Sequence, residues 1–227
     1  MTAVAALQFH SVFKNFPDRR GGRLEVLQNI TFDVLDREVV AVLGPSGCGK
    51  STLLHIAAGL SAPDRGSISL FGNAPGNGND WHAVRYMFQD DRLLPWRSAL
   101  ANVELALERR PLGHAERRKR ATNALERVGL AGFLHALPNE LSGGMRSRVT
   151  LARSFVTQPR LLLMDEPFSR LDSDTRAAMH ALFLELREET GAAVVIVTHD
   201  AGEAAKLSGK IIRMSRRPAN IIATSAL

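Results

Sequence analysis

The sequence predicts an α/β fold: a core built on a parallel sheet, with an N-terminal antiparallel β subdomain and an inserted α-helical subdomain. Three observations carry this prediction. Unbroken apolar runs at residues 39–43, 161–164 and 192–198 are typical of strands buried on both faces of a parallel sheet. Residues 98–136 show helical spacing of apolar side chains and no strand pattern. Strand-like segments at residues 4–13 and 24–35 favour an antiparallel pair.

We expect residues 1–227 to form a single domain with two parts. Residues 1–90 and 157–227 would form the core with its antiparallel β subdomain, and residues 91–156 would form the helical subdomain. The chain is long enough to bury a substantial core. Its composition, 45% hydrophobic and 23% charged, is that of a globular protein.

The first two predicted strands, residues 4–13 and 24–35, are joined by the turn-rich segment 17–23. Phe16 stands where the first strand ends, and an aromatic ring at that place can face solvent and stack on a nucleobase. A core role for Phe16 is an equally good interpretation. Phe13, three residues earlier, is the better candidate for a core residue.

A glycine-rich segment, GPSGCGKST at residues 44–52, connects the strand at residues 39–43 to a helical pattern at residues 53–60. It fits the pattern G-x-x-x-x-G-K-[ST], in which backbone N–H groups cradle phosphate oxygens. The helix N-terminus adds partial positive charge, Lys50 can reach the terminal phosphates, and the Ser51 hydroxyl can ligate Mg²⁺. The alternative is a glycine-rich turn between core elements. That alternative does not explain why every fixed position of the pattern is matched. We therefore predict that the whole segment binds phosphate: Gly44, Pro45, Ser46, Gly47, Cys48, Gly49, Lys50, Ser51 and Thr52.

The strand predicted at residues 84–88 ends at Gln89. An amide oxygen at a strand end can reach a metal ion or a water molecule, although glutamine is common there. Further on, the basic run at residues 117–120 lies in a helical pattern. It has acidic neighbours and no interleaved aromatic residues, so we interpret it as a solvated helix face and predict no nucleic-acid partner.

A second helix N-terminus follows Pro138, where Ser142, Gly143 and Gly144 precede an apolar helical pattern. Free N–H groups, the helix dipole and the Ser142 hydroxyl suit an anion. Considered alone, the segment is better interpreted as a serine cap followed by flexible glycines.

Polar residues with catalytic potential follow two of the buried strands. Asp165 and Glu166 come directly after residues 161–164, and carboxylates at such a place are costly unless they have a role. Asp165 is the expected partner of Mg²⁺, and Glu166 is the candidate base that polarises an attacking water. His199 ends the strand at residues 192–198, where its imidazole can reach a γ-phosphate or that water.

Charge and cysteine content narrow the classes of protein that remain. The formal charge of +6, from 29 basic and 23 acidic residues, suits a nucleotide or an acidic partner surface. Cys48 is the only cysteine, so an intramolecular disulfide is excluded, and we expect it to be a packing residue. Apolar runs fall short of the ~18 residues that cross a bilayer. The N-terminus also lacks a secretory pattern, so a cytoplasmic protein is expected. Scattered histidines predict no protein-held metal beyond nucleotide-bound Mg²⁺.

In combination, these motifs closely resemble the ATP-binding subunit of ABC transporters, over nearly the whole chain. GPSGCGKST matches the Walker A motif, Gln89 the Q-loop, LSGGM the signature motif, LLLMDEP the Walker B motif, SRLD the D-loop and His199 the switch histidine. The resemblance implies a RecA-like P-loop NTPase core. It also implies ATP and Mg²⁺ as cofactors, and hydrolysis of ATP to ADP and phosphate.

The resemblance and the residue chemistry together give three sets of site residues. The catalytic set is Glu166, His199 and Gln89. The metal-binding set is Ser51, Gln89 and Asp165. The nucleotide-binding set comprises Phe16, the segment Gly44 to Thr52, and Ser142, Gly143 and Gly144.

The resemblance also implies partners. Two such subunits, identical or related, pair head to tail with each ATP between the phosphate loop of one and the signature motif of the other. The pair would drive an integral membrane permease from the cytoplasmic face. An extracytoplasmic substrate-binding protein would be an indirect partner, through the permease. QDDRLLPW and NVELAL resemble the importer branch for nitrate, sulfonates and taurine. The LLPW segment is either a permease-docking surface or an apolar cap on the helical subdomain.

Other functions stay open at this point. The chain could be an ABC ATPase of an exporter or of a process away from the membrane, although the latter usually carry a long insertion or two ATPase units. A P-loop small-molecule kinase would leave LSGGM without a role. Met145, Ser147 and Arg170 depart from the commonest family pattern, and Arg170 would place a long cation at the dimer seam.

Overall fold

The computed structural model describes residues 5–18, 21–74 and 82–226. The sequence also predicts a loop at residues 72–80, GNAPGNGND, and part of it lies outside the described residues. The chain divides into two compact units. The first, here called the core unit, consists of the described residues of Met1–Tyr86, Arg160–Glu166 and Gly191–Leu227. The second, the helical unit, consists of Met87–Pro159 and Pro167–Thr190.

Strands and helices alternate along much of the chain. The strands are β1 Ala5–Pro17, β2 Arg23–Leu35, β3 Val39–Leu43, β4 Arg65–Leu70, β5 Val84–Met87, β6 Leu161–Asp165, β7 Ala193–Thr198, β8 Lys210–Met214 and β9 Ile221–Ala226. The helices are α1 Lys50–Ala57, α2 Ala99–Glu104, α3 His114–Arg127, α4 Gly143–Phe155, α5 Ser173–Thr190 and α6 Ala201–Leu207. Three short 3₁₀ helices lie at Leu105–Leu107, Ala131–Phe133 and Pro138–Glu140.

The parallel strands belong to a six-stranded sheet in the order β5-β6-β7-β3-β8-β9. Strands β6, β7, β3 and β8 run parallel, and β9 is antiparallel to β8. Every residue of β3 and β7 is buried, which is the burial expected of a parallel sheet covered on both faces. The carboxyl ends of these parallel strands meet at one edge, which places the loops after β3, β6 and β7 side by side.

The N-terminal strands form a separate three-stranded antiparallel sheet in the order β2-β1-β4. Phe9 and Phe32, which face each other across β1 and β2, stack with their ring centroids 4.8 Å apart. Both rings are buried, so the pair adds apolar burial as well as stacking. The predicted α/β class with an N-terminal antiparallel β part is confirmed.

In the helical unit, α5 packs through Phe183 against Phe155 of α4 and against Phe168, with ring centroids 6.3 and 6.2 Å apart. These contacts explain why Ser173–Thr190 belongs to the helical unit by compactness, whereas the sequence assigned residues 157–227 to the core. The predicted bounds of the core, residues 1–90 and 157–227, and of the helical subdomain, residues 91–156, stay a prediction. Over residues 5–18, 21–74 and 82–226, no helix combines the length and the apolar character needed to span a bilayer.

Candidate nucleotide-binding site

The phosphate loop, residues 44–52, leaves the end of β3 and enters α1 at Lys50. Gly47 and Gly49 have φ angles of 74° and 124°, a region that side chains other than hydrogen rarely allow. A Cβ atom on Gly49 would lie only 2.9 Å from the Val26 side chain. Cys48 is buried. The backbone conformation therefore favours glycine at both positions, and the close approach of β2 also requires it at Gly49.

Lys50 points back into the phosphate loop. Its side chain is 5% exposed, and its ammonium group donates hydrogen bonds to the carbonyl oxygens of Gly44 and Pro45 at 2.8 and 3.3 Å. The same nitrogen lies 3.6 Å from Oε1 of Glu166. A nearly buried cation is therefore held inside the loop by two carbonyls and one carboxylate, which is where it can meet a phosphate.

Asp165 lies at the end of β6, two strands away from the phosphate loop in the sheet. Its Oδ1 accepts a hydrogen bond from the Ser51 hydroxyl at 3.2 Å, and its Oδ2 accepts one from the Tyr86 hydroxyl at 3.0 Å. Sequence reasoning did not identify Tyr86. The available signal was that the chain's only tyrosine stands in the strand that leads to Gln89.

Glu166 lies between two basic groups. Its Oε2 is 3.2 Å from Nδ1 of His199, and its Oε1 faces Lys50. The backbone N–H of Glu166 donates to the carbonyl of Val197 in β7 at 3.0 Å, which fixes the turn after β6. The structure thus brings together three residues predicted from separate motifs, Lys50, Glu166 and His199. A carboxylate held in place by an ammonium group and an imidazole can act as a general base that accepts a proton from a water molecule.

Ser51 and Asp165 form an oxygen-donor pair that suits Mg²⁺, which prefers carboxylate and hydroxyl oxygens together with phosphate oxygens. Their hydrogen bond shows that both oxygens converge on one point beside the phosphate loop. Tyr86 orients the carboxylate from the other side. The donor set therefore fits the predicted metal.

Phe16 lies at the end of β1 and is 39% exposed, so it is not part of the core. With Phe13 it borders an open cavity of ≈ 840 Å³ in the core unit. Leu27 also lines this cavity, and its side chain approaches the backbone of Gly49. The Lys14 ammonium lies 5.3 Å from the Phe16 ring centroid. An exposed ring that borders the same cavity as Leu27 is consistent with the predicted contact to a nucleobase.

The remaining predicted site residues belong to the helical unit. Ser142 caps α4, and its hydroxyl accepts a hydrogen bond from the N–H of Met145 at 3.2 Å. A Cβ atom on Gly144 would approach the Thr175 side chain within 2.8 Å. Gln89 follows β5 and is exposed. The helix start is thus capped by Ser142, with Ser142 and Gly143 exposed to solvent.

The loop after Gln89 is tied to its own unit by charged and polar contacts. Arg170, the unusual D-loop residue, forms an ion pair with Asp90. Arg153 donates to the carbonyl oxygens of Asp91 and Arg92, and burial lowers the pKa of its guanidinium while Asp91 opposes that shift. The LLPW segment itself has mixed exposure.

Within that segment, Leu93 is buried and Trp96 is 74% exposed, so the segment both caps the unit and presents an aromatic ring. Asn102, fully buried on α2, fixes the loop beneath the ring. Its amide nitrogen donates to the carbonyls of Leu94, Arg97 and Ser98, and its oxygen accepts from the N–H of Leu94 at 2.8 Å.

Comparisons with known proteins agree with this geometry. A family model described as ABC transporter matches residues 27–169. The taurine import ATP-binding protein TauB of Pseudomonas aeruginosa, strain UCBPP-PA14, is 43% identical over 206 residues, which cover 90% of this chain and 77% of that protein. The aliphatic sulfonates import ATP-binding protein SsuB of Cupriavidus necator is 46% identical over 208 residues, covering 91% of this chain and 65% of that protein.

Solved structures give the same result for the fold. The dimeric structure of MJ0796, a bacterial ABC transporter cassette, matches with a TM-score of 0.85 and 32% identity, covering 97% of this chain and 98% of that chain. A post-hydrolysis state of the MJ0796 cassette bound to ADP and Pi matches with the same TM-score, 0.85, the same 32% identity and the same coverage of 97% and 98%. The chain therefore belongs to the ABC transporter family, as an ATP-binding and ATP-hydrolysing subunit.

Proposed function

We propose that the chain hydrolyses ATP in a site formed by the phosphate loop, Asp165, Glu166 and His199. The position of the Glu166 carboxylate between Lys50 and His199 is the observation that carries this proposal. Lys50 and the loop N–H groups bind the phosphates, Glu166 accepts a proton from the attacking water, and His199 holds Glu166 and the γ-phosphate in register. Each role uses the charge and hydrogen-bonding capacity that the residue has in this arrangement.

The other predicted residues complete the nucleotide site. Phe16 stacks on the adenine, which its exposure at the end of β1 supports. Ser142, Gly143 and Gly144 bind the ATP held by a second subunit, because their helix start offers free N–H groups and a partial positive charge. Gln89 approaches the metal and the attacking water when the site is assembled. The subunit works as a head-to-tail dimer with two ATP molecules.

Ser51 and Asp165, with Gln89, hold Mg²⁺ in this proposal. When bound, the ion neutralises charge on the β- and γ-phosphates. Tyr86 orients Asp165 through its hydroxyl, in the way that outer hydrogen bonds orient metal-binding carboxylates.

Replacing Tyr86 with phenylalanine is expected to raise the free Mg²⁺ concentration for half-maximal ATP hydrolysis by about tenfold. The variant loses the hydrogen bond to Asp165 but keeps the ring that packs beside His55, 5.7 Å away between centroids. The measurement is ATPase rate against free Mg²⁺ at saturating ATP. An unchanged Mg²⁺ requirement would show that Tyr86 does not orient the carboxylate.

The ATPase drives import of a taurine-like sulfonate, a nitrate or a similar small molecule. The identities of 43% to TauB and 46% to SsuB over nine-tenths of the chain support this. It would act at the cytoplasmic face of the membrane, bound to an integral permease that receives its cargo from an extracytoplasmic binding protein. ATP turnover of the purified subunit with and without its purified partner permease tests the proposal. Stimulation by the permease and its loaded binding protein is expected, and turnover indifferent to both would contradict it.

Trp96 is proposed as the anchor of the permease contact. Its ring is exposed on a loop that the buried Asn102 amide holds rigid, and a preorganised aromatic ring loses little entropy on binding. Trp96→Ala is expected to reduce the permease-stimulated part of ATP turnover by about tenfold or more. Basal turnover should be unchanged. Leu60→Ala, which removes another exposed apolar side chain, 62% exposed, from the core unit, is the control and should keep full stimulation. Full stimulation of the Trp96 variant would refute this docking site.

A further inference from the structure

The loop between β8 and β9, residues 215–220, lies against the phosphate loop. The Arg217 guanidinium donates a hydrogen bond to the carbonyl oxygen of Gly47. An open cavity of ≈ 450 Å³ at this contact is lined by Pro45, Ser46, Gly47, Cys48, Arg216 and Arg217. We propose that Arg217 is a positioning residue for nucleotide binding: by holding the Gly47 carbonyl away from the phosphates, it keeps the N–H of Cys48 on the side of the loop where the phosphates bind.

The geometry of the peptide bond explains how one contact has this effect. In a trans peptide the carbonyl of Gly47 and the N–H of Cys48 point to opposite sides. With the carbonyl on Arg217, the N–H of Cys48 points across the loop, away from Arg217. Its hydrogen bond to the carbonyl of Pro45 is long, at 3.2 Å, so a phosphate oxygen entering the loop can compete for the same N–H. A cation on the carbonyl also polarises the peptide unit and strengthens its N–H as a donor.

Gly47 needs such a support because of its backbone. Its φ angle of 74° is one of several that glycine adopts with almost equal ease, so the residue does not fix its own peptide orientation. A charge-assisted hydrogen bond selects one orientation before the nucleotide arrives. The ordering cost is then met during folding and does not weaken binding.

Arg217 can act as a support because its loop is itself fixed to β2. Ala219 is fully buried, its N–H donates to Val26 at 2.9 Å, and its carbonyl accepts from the N–H of Gln28 at 2.8 Å. The N–H of Ser215 donates to the carbonyl of Asn220 at 3.0 Å and closes the loop. Strand β2 therefore carries the segment from which Arg217 reaches the phosphate loop.

The same strand contacts the second flexible glycine of the phosphate loop directly. The side chains of Val26 and Leu27 would lie 2.9 and 3.0 Å from a Cβ atom on Gly49. One rigid element thus limits Gly49 by packing and Gly47 through Arg217. Binding sites supported by a strand in this way are more precise than sites formed by a loop alone.

Arg216 provides a matched control. It lines the same cavity and carries the same charge, but its side chain has no hydrogen-bond or ion-pair partner among the described residues. If the cavity merely attracts phosphate by its positive charge, the two arginines should contribute about equally. If the contact to Gly47 is what matters, only Arg217 should contribute.

The test is calorimetric titration of the full chain with ADP and Mg²⁺. Arg217→Ala is expected to weaken binding by about five- to tenfold, because one charge-assisted hydrogen bond is lost. Arg216→Ala should bind like the wild type. The KM for ATP should rise in Arg217→Ala by the same factor while kcat changes little, which distinguishes loop positioning from catalysis. Arg217→Lys, which keeps a charged donor, should bind ADP more tightly than Arg217→Ala or Arg217→Gln.

Wild-type ADP affinity in both Arg217→Ala and Arg217→Gln would overturn the inference. So would equal losses in Arg216→Ala and Arg217→Ala that high salt abolishes, since these would assign the effect to net charge. If Arg217→Ala does not fold, as judged by its thermal unfolding, the Gln and Lys variants decide between the same outcomes. The assay measures the phosphate loop of the isolated subunit, so its result is independent of whether the subunit drives import.

Discussion

Replacing Glu166 with glutamine is expected to lower the rate of ATP hydrolysis by about 10²- to 10⁴-fold, the usual contribution of a general base. The amide keeps the size of the carboxylate and can still face Lys50 and His199, but it cannot accept the proton of the attacking water. Nucleotide affinity should stay close to that of the wild type. Release of phosphate under steady-state conditions, together with equilibrium binding of ATP, measures both quantities.

The control for this substitution is Glu188→Gln on α5. Glu188 is an exposed carboxylate that pairs only weakly with the neighbouring Arg187, so the same chemical change should leave turnover unaffected. Near-normal turnover of the Glu166 variant would require another residue to activate the water. His199, 3.2 Å from the Glu166 carboxylate, would then be the next candidate for the base.

Replacing Lys50 with methionine is expected to weaken ATP binding by about 10- to 100-fold, because a hydrogen bond to a charged group contributes about 1.5–3 kcal/mol. Methionine fills a similar volume, so the buried site should not collapse. The ammonium contacts to Gly44, Pro45 and Glu166 are lost together. Direct measurement of ATP affinity is the appropriate assay, since turnover would mix binding with catalysis.

Lys206→Met on α6 removes a positive charge from an exposed position of the same unit and serves as the control. Its ATP affinity should equal that of the wild type. Equal losses in both variants would mean that overall charge, and not the position of Lys50 inside the loop, determines affinity. Wild-type ATP affinity in Lys50→Met would contradict the proposed role of Lys50 and of the phosphate loop in binding ATP.

The fold and the family could be predicted from sequence because their signals are local. The buried strands are continuous apolar runs, and the phosphate loop is a contiguous pattern between a strand and a helix. The position of Glu166 was predictable for the same reason, since it directly follows β6. Its contacts with Lys50 and His199 were not predicted, although they agree with the rule that parallel strands end at one edge of a sheet.

Contacts between distant side chains could not be predicted in this way. Tyr86 and Asp165 are 79 residues apart, and Arg217 and Gly47 are 170 residues apart, with no spacing rule linking either pair. The placement of α5 in the helical unit depends on aromatic packing between Phe155 and Phe183. The sequence identified the groups that perform chemistry, while the groups that orient them became visible only once the chain was folded.

We propose that ATP joins two copies of this chain and that hydrolysis separates them. The most direct measurement is sedimentation of the Glu166→Gln variant, which binds ATP but should hydrolyse it very slowly. With saturating ATP and Mg²⁺ the variant should sediment as a dimer, and with ADP it should return to a monomer. A variant that stays monomeric with ATP at every protein concentration, alone and beside the permease, would contradict the claim.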